Sequence, residues 1–167
     1  MRGKKLFNKG DKVFYGQTGV CVDEDVSEKI LTKNIKKLYY TLRPIYQHNN
    51  IIYAPALSDK VFIRKIISKA EAQRLIKSVP ELLNKVLDGQ TEEDYKAALE
   101  SHSSEELLEL AVRIYAKKQA AKRIKKKPGF VDEKYLKRAE ELLFGELAAA
   151  LDIPFEEVPN LLFSFNR

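Results

Sequence analysis

The hydrophobic period of the chain changes at Ser68, and that change constrains the fold more than any other feature. Up to Ile67, apolar residues come in short runs split by glycines, prolines and polar clusters. From Ser68 onward they recur every three to four residues. Alternation marks strands and a period near 3.6 marks amphipathic helices. A chain of 167 residues holds one domain or two small ones. The period change therefore predicts an α+β protein with a β-rich domain over residues 1–68 and an all-helical domain over 69–167.

Within the first part, Leu6–Val26 opens with a Gly10-Asp11 turn into Val13-Phe14-Tyr15, then Gly16 and Gly19, then Val20-Cys21-Val22. β-Branched and aromatic runs divided by glycines read as tight antiparallel strands. The expected strands are Lys12–Tyr15, Gly19–Asp25, Leu38–Leu42, Asn50–Ala54 and Val61–Ile66. The lysine-rich Ser27–Lys37 reads either as a long hairpin loop or as an extension of its two flanking strands. His48-Asn49-Asn50 reads as a turn. Pro44 and Pro55 cannot donate to a ladder and mark strand ends or edges. Short strands at this spacing predict a small Tudor-like or SH3-like β-barrel.

The second part starts with Ser68 and Glu71 in capping-box spacing. Ala72, Leu75, Ile76 and Val79 follow on one side of a helix, and Pro80 is expected to open a separate short helix through Leu87, stopped by Asp88-Gly89. Thr91 caps a helix over Glu92–Glu100. Ser103 with Glu106 starts the longest one, from Ser104 to about Lys126, with Leu107, Leu110, Ala111, Ile114, Ala121 and Ile124 as its apolar stripe. Pro128-Gly129 breaks it. A further helix runs from Asp132 to about Leu151, with Leu136, Ala139, Leu143 and Leu147 inward. Asp152-Ile153-Pro154 reads as the cap and first turn of a last helix closed by Phe155, Val158 and Leu161.

Charge comes in blocks. The net charge is +8 over residues 1–70, −6 over 71–110, +9 over 111–138 and −5 over 139–167. Two positive blocks of this size point to a polyanionic partner. The one cysteine, Cys21, lies in a strand pattern and reads as a buried apolar residue in a reducing compartment. No apolar run approaches the ~20 residues of a membrane span, and the basic N-terminus lacks the apolar segment of a signal peptide. A cytoplasmic protein without membrane association is expected. The two histidines, His48 and His102, have no second ligand at metal-binding spacing. No phosphate-cradling glycine loop or nucleophile motif is present. Neither catalysis, nor a cofactor, nor a metal, nor a small-molecule substrate is expected.

Two stretches suggest binding. Asn50–Pro55 is an apolar strand closed by a proline, and at a sheet edge it offers backbone groups to a partner strand. Lys117-Lys118, Lys122-Arg123 and Lys125–Lys127 form a dense basic run suited to sequence-independent phosphate contacts.

The pattern F-x-x-G-D-x-V-x-Y-x-x-x-G-V from Phe7 to Val20, with Tyr53-Ala54-Pro55 about thirty residues later, resembles the CarD/CdnL family of bacterial transcription regulators, whose polymerase-binding module also occurs in the transcription-repair coupling factor. The resemblance returns at Tyr95–Glu100, Val112-Arg113, Lys117-Lys118 and Leu136–Leu147. It implies that the barrel binds the RNA polymerase β subunit by strand pairing through Ile51, Ile52, Tyr53, Ala54 and Pro55, flanked by Lys29 and Ile30. It also implies that the helical domain meets double-stranded promoter DNA without sequence preference and modulates open-complex stability. Lys96, Arg113, Lys117, Lys118, Lys122, Arg123 and Lys134 are the DNA-facing candidates. The family carries a tryptophan wedge four residues before the Tyr-Lys pair. Here that position is Thr91, followed by Glu92, Glu93 and Asp94. Two alternatives stay open: a polymerase-binding module that does not touch DNA, and an unrelated general nucleic-acid-binding protein.

Overall fold

The computed structural model describes residues 6–46, 50–85 and 90–164. The expected turn at His48-Asn49 and the expected helix end over 86–89 lie outside the described residues. The chain divides into two compact units, Met1–Ile66 and Ile67–Arg167.

The first unit is a five-stranded antiparallel sheet: β1 Lys12–Tyr15, β2 Gly19–Thr32, β3 Ile35–Pro44, β4 Ile52–Pro55 and β5 Ile63–Lys65. The strands lie in the order β4-β3-β2-β1-β5. Among the described residues no ladder joins β4 to β5. One face buries Val13, Cys21, Tyr40, Leu42, Ala54 and Ala56, with Phe7, Val26, Leu38, Ile52 and Ile63 packed against them. Burial of this face is the main stabilising term, at ~25 cal/mol per Å² of apolar area.

Of the two readings of Ser27–Lys37, the structure takes strand extension. The β2–β3 ladder runs out to Thr32 opposite Ile35. It closes on Lys33 and Asn34, which have φ of 47° and 54°. Two successive positive φ values make the primed two-residue turn whose twist matches the strands. β4 begins two residues later than expected and β5 is confined to Ile63–Lys65.

The second unit holds α1 Lys69–Asn84, α2 Glu92–Glu100, α3 Ser104–Arg123, α4 Phe130–Leu151, a 3-10 turn at Phe155–Glu157 and α5 Val158–Phe163. Leu75, Val79, Leu107, Ile114, Leu143, Leu147 and Leu162 are fully or almost fully buried. The buried Glu146 carboxylate of α4 ties two other segments to that helix. It accepts the Ile67 backbone N–H at 3.0 Å and the Ser104 hydroxyl at 2.6 Å. Burial of a polar group is tolerated when its oxygens are hydrogen-bonded in this way.

Five helix expectations are corrected. Pro80 does not start a new helix, because α1 runs through it. The buried stripe Ala72, Leu75 and Val79 holds the helix together across the one hydrogen bond that proline removes. α3 stops at Arg123, so Lys125–Lys127 lie in the connector rather than on the helix. Ile124 is 65% exposed and contributes nothing to the core. Asp152 ends α4 at φ 56° instead of opening the last helix, and in α5 Leu162 rather than Leu161 is buried.

Among the described residues no helix is long and apolar enough to cross a membrane.

Candidate functional site

Among the described residues β4 is a terminal strand of the sheet, hydrogen-bonded to β3 alone. Its register pairs Tyr40 with Ala54, Thr41 with Tyr53 and Leu42 with Ile52. Just past the strand, the Ala56 N–H donates to the Leu38 carbonyl at 2.9 Å. Backbone direction alternates along a strand, so Ala54 and Ile52 also face β3 with their N–H groups. The N–H and C=O of Tyr53 therefore point out of the sheet edge. Pro55 has no N–H, so its backbone offers that edge a carbonyl only.

Side chains alternate along the strand too. Ile52 and Ala54 pack on the core. Ile51 and Tyr53 are exposed. Lys29, on β2, sits with its ammonium 5.3 Å from the centre of the Tyr53 ring, a cation–π distance. Ile30 is 59% exposed, beside the exposed Leu31 and Ile35 at the tip of the β2–β3 hairpin. A groove beside β4 is lined by Glu28, Lys36, Lys37, Leu38, Pro55, Leu57 and Lys60, with Lys36 paired to Glu28 at 3.1 Å. The seven strand-pairing candidates thus divide. Tyr53 and Lys29 touch on one surface, Ile30 and Ile51 are exposed, Pro55 is half-buried, and Ile52 and Ala54 are core. Leu31 and Ile35 were not singled out by sequence reasoning. A polar, lysine-rich ribbon with both faces wet hides its apolar members.

The basic candidates divide as well. The Lys117 ammonium lies 2.8 Å from an Asp132 carboxylate oxygen, and this partner raises the Lys117 pKa. Asp132 also accepts the Tyr95 hydroxyl at 2.9 Å. Burial, helped by that carboxylate, pushes the Tyr95 phenol up from its ordinary range. Lys118 lies 4.0 Å from Glu133. Arg113 is largely buried and donates to Glu109 at 2.8 Å. Lys134 lies 5.8 Å from the centre of the Tyr135 ring. Lys96, Lys122 and Arg123 are exposed.

Thr91 is the N-cap of α2. Its hydroxyl accepts the Asp94 N–H, and the Asp94 carboxylate accepts the Thr91 N–H at 2.8 Å. The reciprocal bonds satisfy two orphan donors of the helix start. The same bond, first of all, lowers the Asp94 pKa. Glu92 accepts the Tyr135 hydroxyl at 3.1 Å. Glu92 and Asp94 therefore serve the local fold.

Among the described residues no cluster of histidine, cysteine or carboxylate side chains could hold a metal. Residues 7–67 match the family model of the CarD-like/TRCF RID domain. No curated protein matches the chain.

Proposed function

We propose that the unit of residues 7–67, which matches the CarD-like/TRCF RID domain model, interacts with RNA polymerase and docks on its β subunit by adding a strand to β4. The carrying observation is the outward-facing backbone of Tyr53 on a terminal strand. Main-chain bonds of such an edge supply affinity, and neighbouring side chains supply specificity. The groove holds Lys36, Lys37 and Lys60 among Leu38, Leu57 and Pro55; Glu28 pairs with Lys36 at 3.1 Å, and Lys37 and Lys60 suit an acidic and apolar partner strand. A strongly curved, Tudor-like sheet belongs to the same reading.

We further propose that the helical unit meets promoter DNA and that the two contacts together modulate open-complex stability without catalysis. Tethering raises the effective concentration of the weaker contact. The support is the net charge of +9 over residues 111–138. A polymerase-bound module that leaves DNA alone is the second reading. It is favoured by the ion pairs that already engage Lys117, Lys118 and Arg113. Binding of the full chain to immobilised β subunit tests the first contact. Anisotropy of a labelled duplex across a salt series tests the second. Affinity falling steeply with salt supports DNA contact, and absence of binding at low salt favours the second reading.

A further inference from the structure

Ahead of β1, Phe7–Asp11 forms a strap with little packing of its own. Asn8, Lys9 and Gly10 are exposed, and only Phe7 and Asp11 are half-buried. The Phe7 ring lies 5.7 Å from that of Tyr40, and the Phe7 N–H donates to the Tyr40 hydroxyl at 3.2 Å. The other ties of the strap to the sheet run through the backbone of Asp23. The Gly10 N–H donates to the Asp23 carbonyl at 2.7 Å, and the Asp23 N–H donates to the Asp11 carbonyl at 2.9 Å. The remaining bonds are internal: the Asp11 N–H donates to the Asn8 carbonyl, and the Asn8 N–H to the Asp11 carboxylate.

The Asp23 side chain is fully buried, with Oδ1 on the Asp25 N–H and Oδ2 without a partner among the described residues. The groups that face it are Asp11 of the strap, Asp25 of β2 and Tyr40 of β3. Two are carboxylates and none is a cation. An ionised carboxylate that is desolvated, half-satisfied and set beside like charges is unfavourable. Burial accordingly pushes the Asp23 carboxyl up from its ordinary range. Water relieves that charge only if one wall around it yields. The β3 wall is held by a ladder running from Cys21 to Thr32, whereas the strap has three bonds and one half-buried ring. Its turn at Gly10 has φ 93°, and a Cβ there would meet nothing within 4 Å, so this turn has room to move. We propose that Phe7–Asp11 is a pH-operated lid, closed over protonated Asp23 and opening when Asp23 ionises. Opening uncovers Tyr40, the register partner of Ala54 on β4. The lid stands independently of the polymerase and DNA contacts proposed above.

The test is amide hydrogen exchange by NMR on the full chain, with the Asp23 carboxyl carbon titrated in the same samples. Protection of the Gly10 and Asp23 amides should fall about tenfold between pH 5 and pH 8. That is the share of a rise from 3.8 to about 6 that lies in this window. The fall should level off above the pH at which the carboxyl titrates. Exchange at both amides should be insensitive to sub-denaturing urea at pH 8, the mark of a local opening that exposes little surface. Asp23→Asn should make Gly10 protection independent of pH. Protection that ignores pH in the wild type, or an undiminished fall in Asp23→Asn, overturns the lid. A fall that urea accelerates reports opening of the whole unit and also overturns it. Should Asp23→Asn not fold, the wild-type titration decides, and an Asp23 carboxyl that titrates below pH 5 overturns the lid.

Discussion

Lys125 takes a conformation that its residue type resists. It stands just past α3 at φ 57°, where its N–H and that of Lys126 bond back to Lys122 and Ala121. This is the helix-ending turn in which glycine is usual, because a Cβ is disfavoured in the left-handed region. Lys125→Gly should therefore stabilise the helical unit by up to about 1 kcal/mol, after the entropy that glycine adds to the unfolded chain. Urea denaturation measures it. Asp23 offers a second test. It is buried on β2, and its Oδ1 accepts the Asp25 N–H at 3.2 Å. Burial raises its pKa to about 6; the Asp25 N–H bond pulls it downward, and the Asp11 and Asp25 charges add to the rise. The folded chain thus holds a proton that the unfolded chain releases near pH 4. The associated stability is full below about pH 4 and is lost as pH rises through about 6. Asp23→Asn should match the wild type at pH 4 and exceed it at pH 8, by at most about 3 kcal/mol. Equal pH profiles of melting for the two proteins would contradict this.

At the scale of elements, Asp132 joins α2, α3 and α4 through Tyr95 and Lys117. Asp132→Asn should weaken the unit by about 1 kcal/mol and release Lys117. If the helical unit meets DNA, the same variant should bind a duplex more tightly, with a salt slope steeper by about one. Three helix starts were legible in the sequence, whereas α4 starts at Phe130 rather than Asp132 and the last helix does not start at Asp152. Ser68, Thr91 and Ser103 each accept the N–H three residues on, at Glu71, Asp94 and Glu106. Helix ends were less so. The stop at Arg123 depends on a lysine adopting a glycine-like φ, which composition does not announce. Pro80 misled because local breaking was weighed without the buried Leu75 and Val79 beside it. The hairpin was ambiguous because its outer half has no apolar face to set a period.

At the scale of the molecule, the two units have different chemistry to offer. The first presents a terminal strand beside cationic and apolar side chains. The second has a helical core and a lysine-rich turn. The central claim is that the edge of β4 pairs with the polymerase β subunit. Tyr53→Pro removes the one N–H identified on that outward edge and leaves the β3 ladder donors, Ile52 and Ala54, in place. Ile52→Pro would instead break the ladder, so it is the wrong probe. The most direct measurement is the affinity of the full chain for RNA polymerase in three forms: wild type, Tyr53→Val and Tyr53→Pro, each checked for folding by circular dichroism. Tyr53→Val keeps the donor and should bind within a few-fold of wild type, while a folded Tyr53→Pro should lose about tenfold or more. A folded Tyr53→Pro that binds as the wild type does would contradict strand pairing through β4.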